Sequence, residues 1–117
     1  MTLTIDRKTW LRGEGSANSF LLRASDSKKC CLGFYALKKG FNLKYIKDKK
    51  SLAQLPNPMK NFPDFCREDE KRNDYFNSNF AGELMSNNDS KYLTCSEREN
   101  KIAKLFKEIK VDVEFIN

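Results

Sequence analysis

Ser96-Glu97-Arg98-Glu99-Asn100-Lys101-Ile102-Ala103-Lys104-Leu105-Phe106-Lys107-Glu108-Ile109-Lys110-Val111-Asp112-Val113-Glu114-Phe115-Ile116 carries both periodicities from which a fold is read. Ile102, Leu105, Phe106 and Ile109 recur at i, i+3, i+4 and i+7, one face of a helix. Ser96 followed by Glu99 matches a capping box with Ser96 as N-cap. Val111, Val113 and Phe115 then alternate with Asp112 and Glu114, the period of a half-buried strand. Little chain separates the two, so the strand should end on the sheet that the helix covers. That unit sets the class as α+β.

Working outward, Thr2–Ile5 reads as a strand, and Asp6 can cap a helical turn, Arg7–Leu11, that docks Trp10 and Leu11 on the core. Arg12-Gly13-Glu14-Gly15-Ser16 breaks it, because two glycines permit positive φ and leave backbone N–H groups exposed. Ser19–Arg23 is an apolar run with polar flanks, expected as a third strand. Lys28–Lys39 reads as a buried helix closed by Gly40, and residues 41–50 add a short helical turn. Pro56, Pro58 and Pro63 make 51–63 an extended connection. Cys66–Asn73 is charged and helix-compatible, Asn77–Asn79 is expected as a turn, and Phe80–Ser86 as an amphipathic helix ending at Asn87-Asn88-Asp89. The expected architecture is a small, mostly antiparallel sheet with helices packed on one face, a single compact domain over residues 1–117.

The 117 residues are 39% hydrophobic and 32% charged, enough for one modest core. Histidine is absent, which excludes imidazole bases, imidazole metal ligands and Ser-His or Cys-His nucleophile pairs. The four cysteines, Cys30, Cys31, Cys66 and Cys95, lack zinc spacing and are expected to be small buried hydrophobes. Residues 1–7 lack the apolar run of a signal peptide, and no stretch is long enough to span a bilayer, so a cytoplasmic protein is expected. Net charge is +6, divided as +9 over residues 1–60 and −3 over 61–117. A lysine- and asparagine-rich composition explains part of the imbalance, but the arginines Arg7, Arg12 and Arg23 suit an anionic partner better.

Trp10-Leu11-Arg12-Gly13-Glu14-Gly15, Ser19-Phe20-Leu21-Leu22-Arg23, Lys29-Cys30-Cys31-Leu32-Gly33-Phe34, Asn88-Asp89 and the ending Arg98-Glu99 … Leu105-Phe106 … Val111–Ile116 resemble small tailed-bacteriophage proteins of unassigned function. The similarity covers most of the chain and is loose over 47–80. A glycine commonly precedes the final strand in that family, where this chain has Lys110. The resemblance implies the infected bacterial cytoplasm as the setting and no catalytic residues.

Neither a Walker sequence nor a dinucleotide fingerprint is present, so Arg12–Ser16 could cradle a phosphate only as a glycine-lined nest. The same residues read more readily as an ordinary turn. Trp10 and Tyr35 could stack a base or fill the core. Asp64, Glu68, Asp69, Glu70 and Asp74 alternate with Arg67, Lys71 and Arg72, a salt-bridged surface rather than an acid–base pair. The leading expectation is a non-enzymatic protein that counteracts bacterial immunity by sequestering an anionic nucleotide signal. Its ligand-binding residues would be Trp10, Arg12, Gly13, Gly15, Ser16, Arg23 and Tyr35, with no catalytic residue, metal or cofactor. The alternatives are a protein–protein inhibitor of a host defence or transcription enzyme, and a weak nucleic-acid binder using Lys44–Lys50. The modest core favours a homo-oligomer.

Overall fold

The computed structural model describes residues 1–52 and 75–117. Expectations for the proline-rich connection beyond Leu52, for Cys66–Asn73 and for the carboxylates of 64–74 lie outside the described residues. In chain order the elements are β1 (Thr2–Asp6), a 3₁₀ turn (Ser16–Asn18), α1 (Cys31–Lys38), α2 (Leu43–Ile46), α3 (Tyr75–Asp89), α4 (Cys95–Lys107) and β2 (Asp112–Ile116). No helix among the described residues is long and apolar enough to cross a membrane.

The class is α+β, but the sheet differs from expectation. Among the described residues it has two strands, and they run parallel, Thr2 opposite Asp112 through Asp6 opposite Ile116. Alternation reports which face a residue takes and carries no information about strand direction. The two strands come from opposite ends of the chain, and the whole intervening chain serves as the crossover that parallel pairing demands. Ser19–Arg23 does not join this sheet. Leu22 makes one isolated bridge with Lys47, and the flanking amides of Leu21 and Arg23 bond Lys49 and Lys28.

Leu3 and Ile5 point to the inner face and are fully buried, while Val113 and Phe115, their register partners, are half-buried on the same side. Thr2, Thr4, Asp112 and Glu114 lie exposed on the other face. The core on the inner side joins Leu21, Leu32, Tyr35, Ala36, Ile46, Leu84, Ile102, Phe106 and Val111. Burying each large aliphatic or aromatic side chain contributes roughly 1.5–3 kcal/mol, which is why the helical face Ile102/Phe106 anchors α4.

Local chemistry moves several boundaries. The capping box of α4 is Thr94 with Glu97, two residues before Ser96 and Glu99: the Thr94 hydroxyl accepts from the Glu97 amide at 3.1 Å, and the Glu97 carboxylate accepts from the Thr94 amide at 3.0 Å. Glu99 is left free to take Arg7 through two hydrogen bonds of 2.7 and 2.8 Å. Asp6 forms a turn, accepting from the Lys8 amide at 3.0 Å, but no helix follows. Trp10 instead bridges Lys29, and Leu11 and Lys29 exchange strand-like bonds with that neighbourhood. The Lys28 carbonyl is taken by the Arg23 amide and the Lys29 carbonyl by the Leu11 amide, so neither can accept a helical bond and α1 begins only at Cys31. Trp10 and Leu11 do dock in the core. α1 closes as expected at Gly40, φ 104°, whose amide bonds Leu37. Asn77–Asn79 is helical, since α3 begins at Tyr75 and runs unbroken to Asp89.

Lys110 stands in the left-handed region at φ 63°. Its amide bonds Lys107 at 2.9 Å and the next amide, of Val111, bonds Phe106 at 3.1 Å, the tight reversal that turns α4 into β2. Cys30 and Cys31 are buried, whereas Cys95, the first residue of α4, is exposed, contrary to the expectation of burial for all four cysteines. Opening a helix above the surface of the protein leaves its side chain nothing to pack under. Burial pushes the Cys30 thiol up to about 12 and raises Cys31 as well, so both stay neutral.

Candidate functional site

The last turn of α3 presents carbonyls that no helical amide can satisfy. Two groups reach them. The Gly13 amide donates to Asn88 O at 2.8 Å and the Gly15 amide to Asp89 O at 2.9 Å. Arg98, nearly buried, donates one guanidinium nitrogen to the carbonyls of Asn87 (2.8 Å), Asn88 (3.1 Å) and Ser90 (2.8 Å), and another to Leu93 (3.2 Å). A cation at a helix C-terminus also complements its dipole. Desolvation lowers the Arg98 pKa, partly offset by the nearby Asp89 carboxylate.

Glycine is favoured at both positions of the turn. Gly13 (φ 67°) and Gly15 (φ 83°) are left-handed, and a Cβ at Gly13 would stand 3.0 Å from the Arg98 guanidinium. One at Gly15 would stand 3.0 Å from Lys91 Cε. The expected flexible turn is thus a cap, and its two glycine amides point inward to α3 instead of outward to solvent. The exposed nest read from Gly13 and Gly15 is corrected accordingly, because the helix-end carbonyls need those donors.

The side chain of Asn88 ties the turn to the core. Its Oδ1 accepts from Trp10 Nε1 at 2.8 Å and from the Cys31 amide at 3.0 Å. Its Nδ2 donates to Leu11 O at 3.0 Å and to Asp89 Oδ1 at 2.9 Å. Asn88 is 1% exposed, so every polar atom of its amide is satisfied within the protein. Burial raises the Asp89 carboxyl above its ordinary value, against the lowering effect of hydrogen bonds from Asn88 and Ser19 and of the charges on Lys50 and Arg98.

The residues expected to bind a ligand do not converge on one site. Trp10, Arg12, Gly13 and Gly15 gather around the α3 terminus. The Trp10 ring is 3% exposed, stacked 5.3 Å from Phe115, and covered by the Arg12 guanidinium at 4.5 Å. Arg12 also donates to Arg7 O at 3.0 Å. Arg23 is clamped between Glu14 at 2.9 Å and Asp26 at 2.6 Å, which holds the Asp26 carboxyl down to about 2. Tyr35 is elsewhere, enclosed in the core 5.6 Å from Phe106. Of the Lys44–Lys50 stretch, Lys50 reaches across to the Ala17 carbonyl at 2.8 Å and lies over the Phe20 ring.

Gly15 and Ser16 also form one wall of an open groove of about 590 Å³, completed by Gly82, Met85, Ser86, Asp89, Ser90, Lys91 and Tyr92. Tyr92 is 93% exposed, and the Lys91 side chain lies along the bare α-carbon of Gly15. Asn88, Asp89, Lys91, Tyr92 and Arg98 were not among the sequence candidates. One signal was available: Asn88 follows Leu84 by four residues and shares its buried helical face. Comparison of the chain with protein-family models, with curated proteins and with solved structures finds no match in any of the three.

Proposed function

We propose that the chain is a non-enzymatic binding protein for a small anion carrying a planar ring, a nucleotide, held in the groove beside Gly15 and Ser16. The observation that carries the reading is the pairing at one rim of an exposed aromatic ring, Tyr92, with an ammonium, Lys91, laid against a glycine. The ring supplies a stacking face, the ammonium a phosphate partner, and Ser16, Ser86 and Ser90 supply hydroxyls along the walls. The groove's size lies within the range of small-molecule sites. Arg12 and Arg23, engaged with Trp10 and with Glu14 and Asp26, act as supports of the turn in this reading. In the phage setting implied by the sequence resemblance, such a protein would act by withholding a nucleotide immune signal from its effector.

The test is calorimetric titration with nucleoside diphosphates and cyclic dinucleotides, alongside chromatography of anything released when the purified protein is denatured. A charged hydrogen bond or a base stack contributes roughly 1.5–3 kcal/mol, so Lys91→Ala and Tyr92→Ala should each weaken binding about ten- to a hundredfold. Arg23→Ala should act on stability more than on affinity. Unchanged affinity in both groove variants, or no binding and no released nucleotide, refutes the reading.

A second reading rests on α2, where Leu43 is 54% and Tyr45 40% exposed beside Lys44 and Lys47. Exposed apolar residues ringed by lysines suit docking on an acidic protein surface, as an inhibitor of a host enzyme would require. Leu43→Asp abolishing capture of a host enzyme, with nucleotide binding absent, would select it.

A further inference from the structure

The register of the sheet determines which backbone groups face outward. The Asp112 amide bonds Met1 O at 3.0 Å and the Arg7 amide bonds Ile116 O at 2.9 Å, so the odd residues of β1 face the even residues of β2. Both polar groups of a strand residue point to the same side, so Thr2 and Thr4 turn their N–H and C=O away from β2. Both are exposed, and no backbone bond to either edge group occurs among the described residues. Asp6, the next outward residue, is already closed off by the Thr9 amide at 3.1 Å. On the far side of the sheet, Val113 and Phe115 turn outward from β2.

The two edges differ in charge. Beside its outward groups β2 carries Asp112 and Glu114, and the Phe115 carbonyl is taken by an Arg7 guanidinium nitrogen at 3.4 Å. Met1-Thr2-Leu3-Thr4-Ile5 has no charged side chain, proline or bulge, the devices that normally keep an edge from pairing. A two-stranded sheet is also marginal by itself.

We infer that β1 pairs antiparallel with β1 of a second copy of this chain, across a twofold axis at Leu3, to make a four-stranded sheet with the β2 strands outermost. The segment is self-complementary in that register. Thr2 stands opposite Thr4 of the second copy and exchanges both backbone bonds with it, and the symmetric pair does the same. Leu3 meets Leu3 and Met1 meets Ile5 on the inner side, so apolar opposes apolar and threonine opposes threonine. The corresponding twofold at β2 would set Glu114 directly against Glu114, which like charge disfavours. The inference rests on strand register and is independent of the groove.

Light scattering of the intact chain over a micromolar to half-millimolar range should show conversion to twice the 13.6 kDa chain mass. Amide exchange should slow at Thr2 and Thr4 as concentration rises, with Val113 and Phe115 unchanged. Thr4→Pro removes an outward N–H and leaves the β1–β2 ladder whole, so it should return the chain to monomer. The double variant Thr2→Lys/Thr4→Lys guards against misfolding of that proline variant. Its lysines face Asp112 and Glu114 within one chain but face each other across the twofold. It should fold with dimerisation weakened about tenfold or more. A mass of one chain throughout, a dimer with rapid Thr2 and Thr4 exchange, or a dimer unaffected in the double lysine variant would overturn the inference.

Discussion

Replacing Asn88 with alanine should be among the most damaging single changes in this protein. The side chain satisfies four groups at once: the Trp10 indole N–H, the Cys31 amide, the Leu11 carbonyl and the Asp89 carboxylate. At 1% exposure, solvent cannot replace it. Asp89 keeps its hydrogen bond from Ser19, so three buried groups lose their partner; at about 1–3 kcal/mol each, even the lower end predicts a loss of about 3 kcal/mol. Proteins of this size have about 6–18 kcal/mol in total, and the melting midpoint should fall by about 12 °C. Asn88→Asp separates geometry from chemistry. Its carboxylate can still accept from Trp10 and Cys31, but it faces the Leu11 carbonyl and Asp89 with no donor. The ionised form is therefore disfavoured in the folded state, which raises that acid's pKa above its unfolded value near 4. The folded state then binds more protons, so the variant should lose stability relative to the parent as pH rises from about 4. The assay is urea unfolding followed by the fluorescence of the single tryptophan, Trp10, which sits in the network. A cost below about 1 kcal/mol for Asn88→Ala, or parallel pH curves for Asn88→Asp and the parent, would refute the reasoning.

Gly33→Ala should cost about 3 kcal/mol or more in the same assay, because its Cβ would stand 1.9 Å from the Leu21 carbonyl oxygen and backbone cannot yield as a side chain does; a cost under about 1 kcal/mol would disprove that contact. Lys110→Gly should gain about 1 kcal/mol, since φ 63° strains a residue bearing a Cβ, and an unchanged urea midpoint would argue against the left-handed reversal. Asp89→Asn tests the raised carboxyl. The parent should lose stability as pH climbs from 3.8 through the raised value, because its folded state holds the proton longer, and the amide variant should lack that portion of the decline. Curves of the same shape for both proteins would show that Asp89 titrates as if in water.

Amphipathic helix α4, strand β2, the Gly40 stop and the docking of Trp10 and Leu11 were all legible in the sequence, because each depends on local periodicity or on one residue's own conformational preference. So was the positive φ that glycine at 13 and 15 permits. The partners of those glycines were not, because the α3 terminus that takes their amides lies more than seventy residues away in sequence. The same distance hid Asn88, which looks like turn chemistry until the indole of Trp10 and the amide of Cys31 arrive beside it. Two capping boxes overlap in Thr94-Cys95-Ser96-Glu97-Arg98-Glu99; the structure uses the first, and Glu99 pairs with Arg7, a partner 92 residues away that local sequence does not reveal. Strand direction was likewise settled in three dimensions. A period of two marks the buried face of β1 and β2 whichever way they run, and only the path of the chain between them makes them parallel.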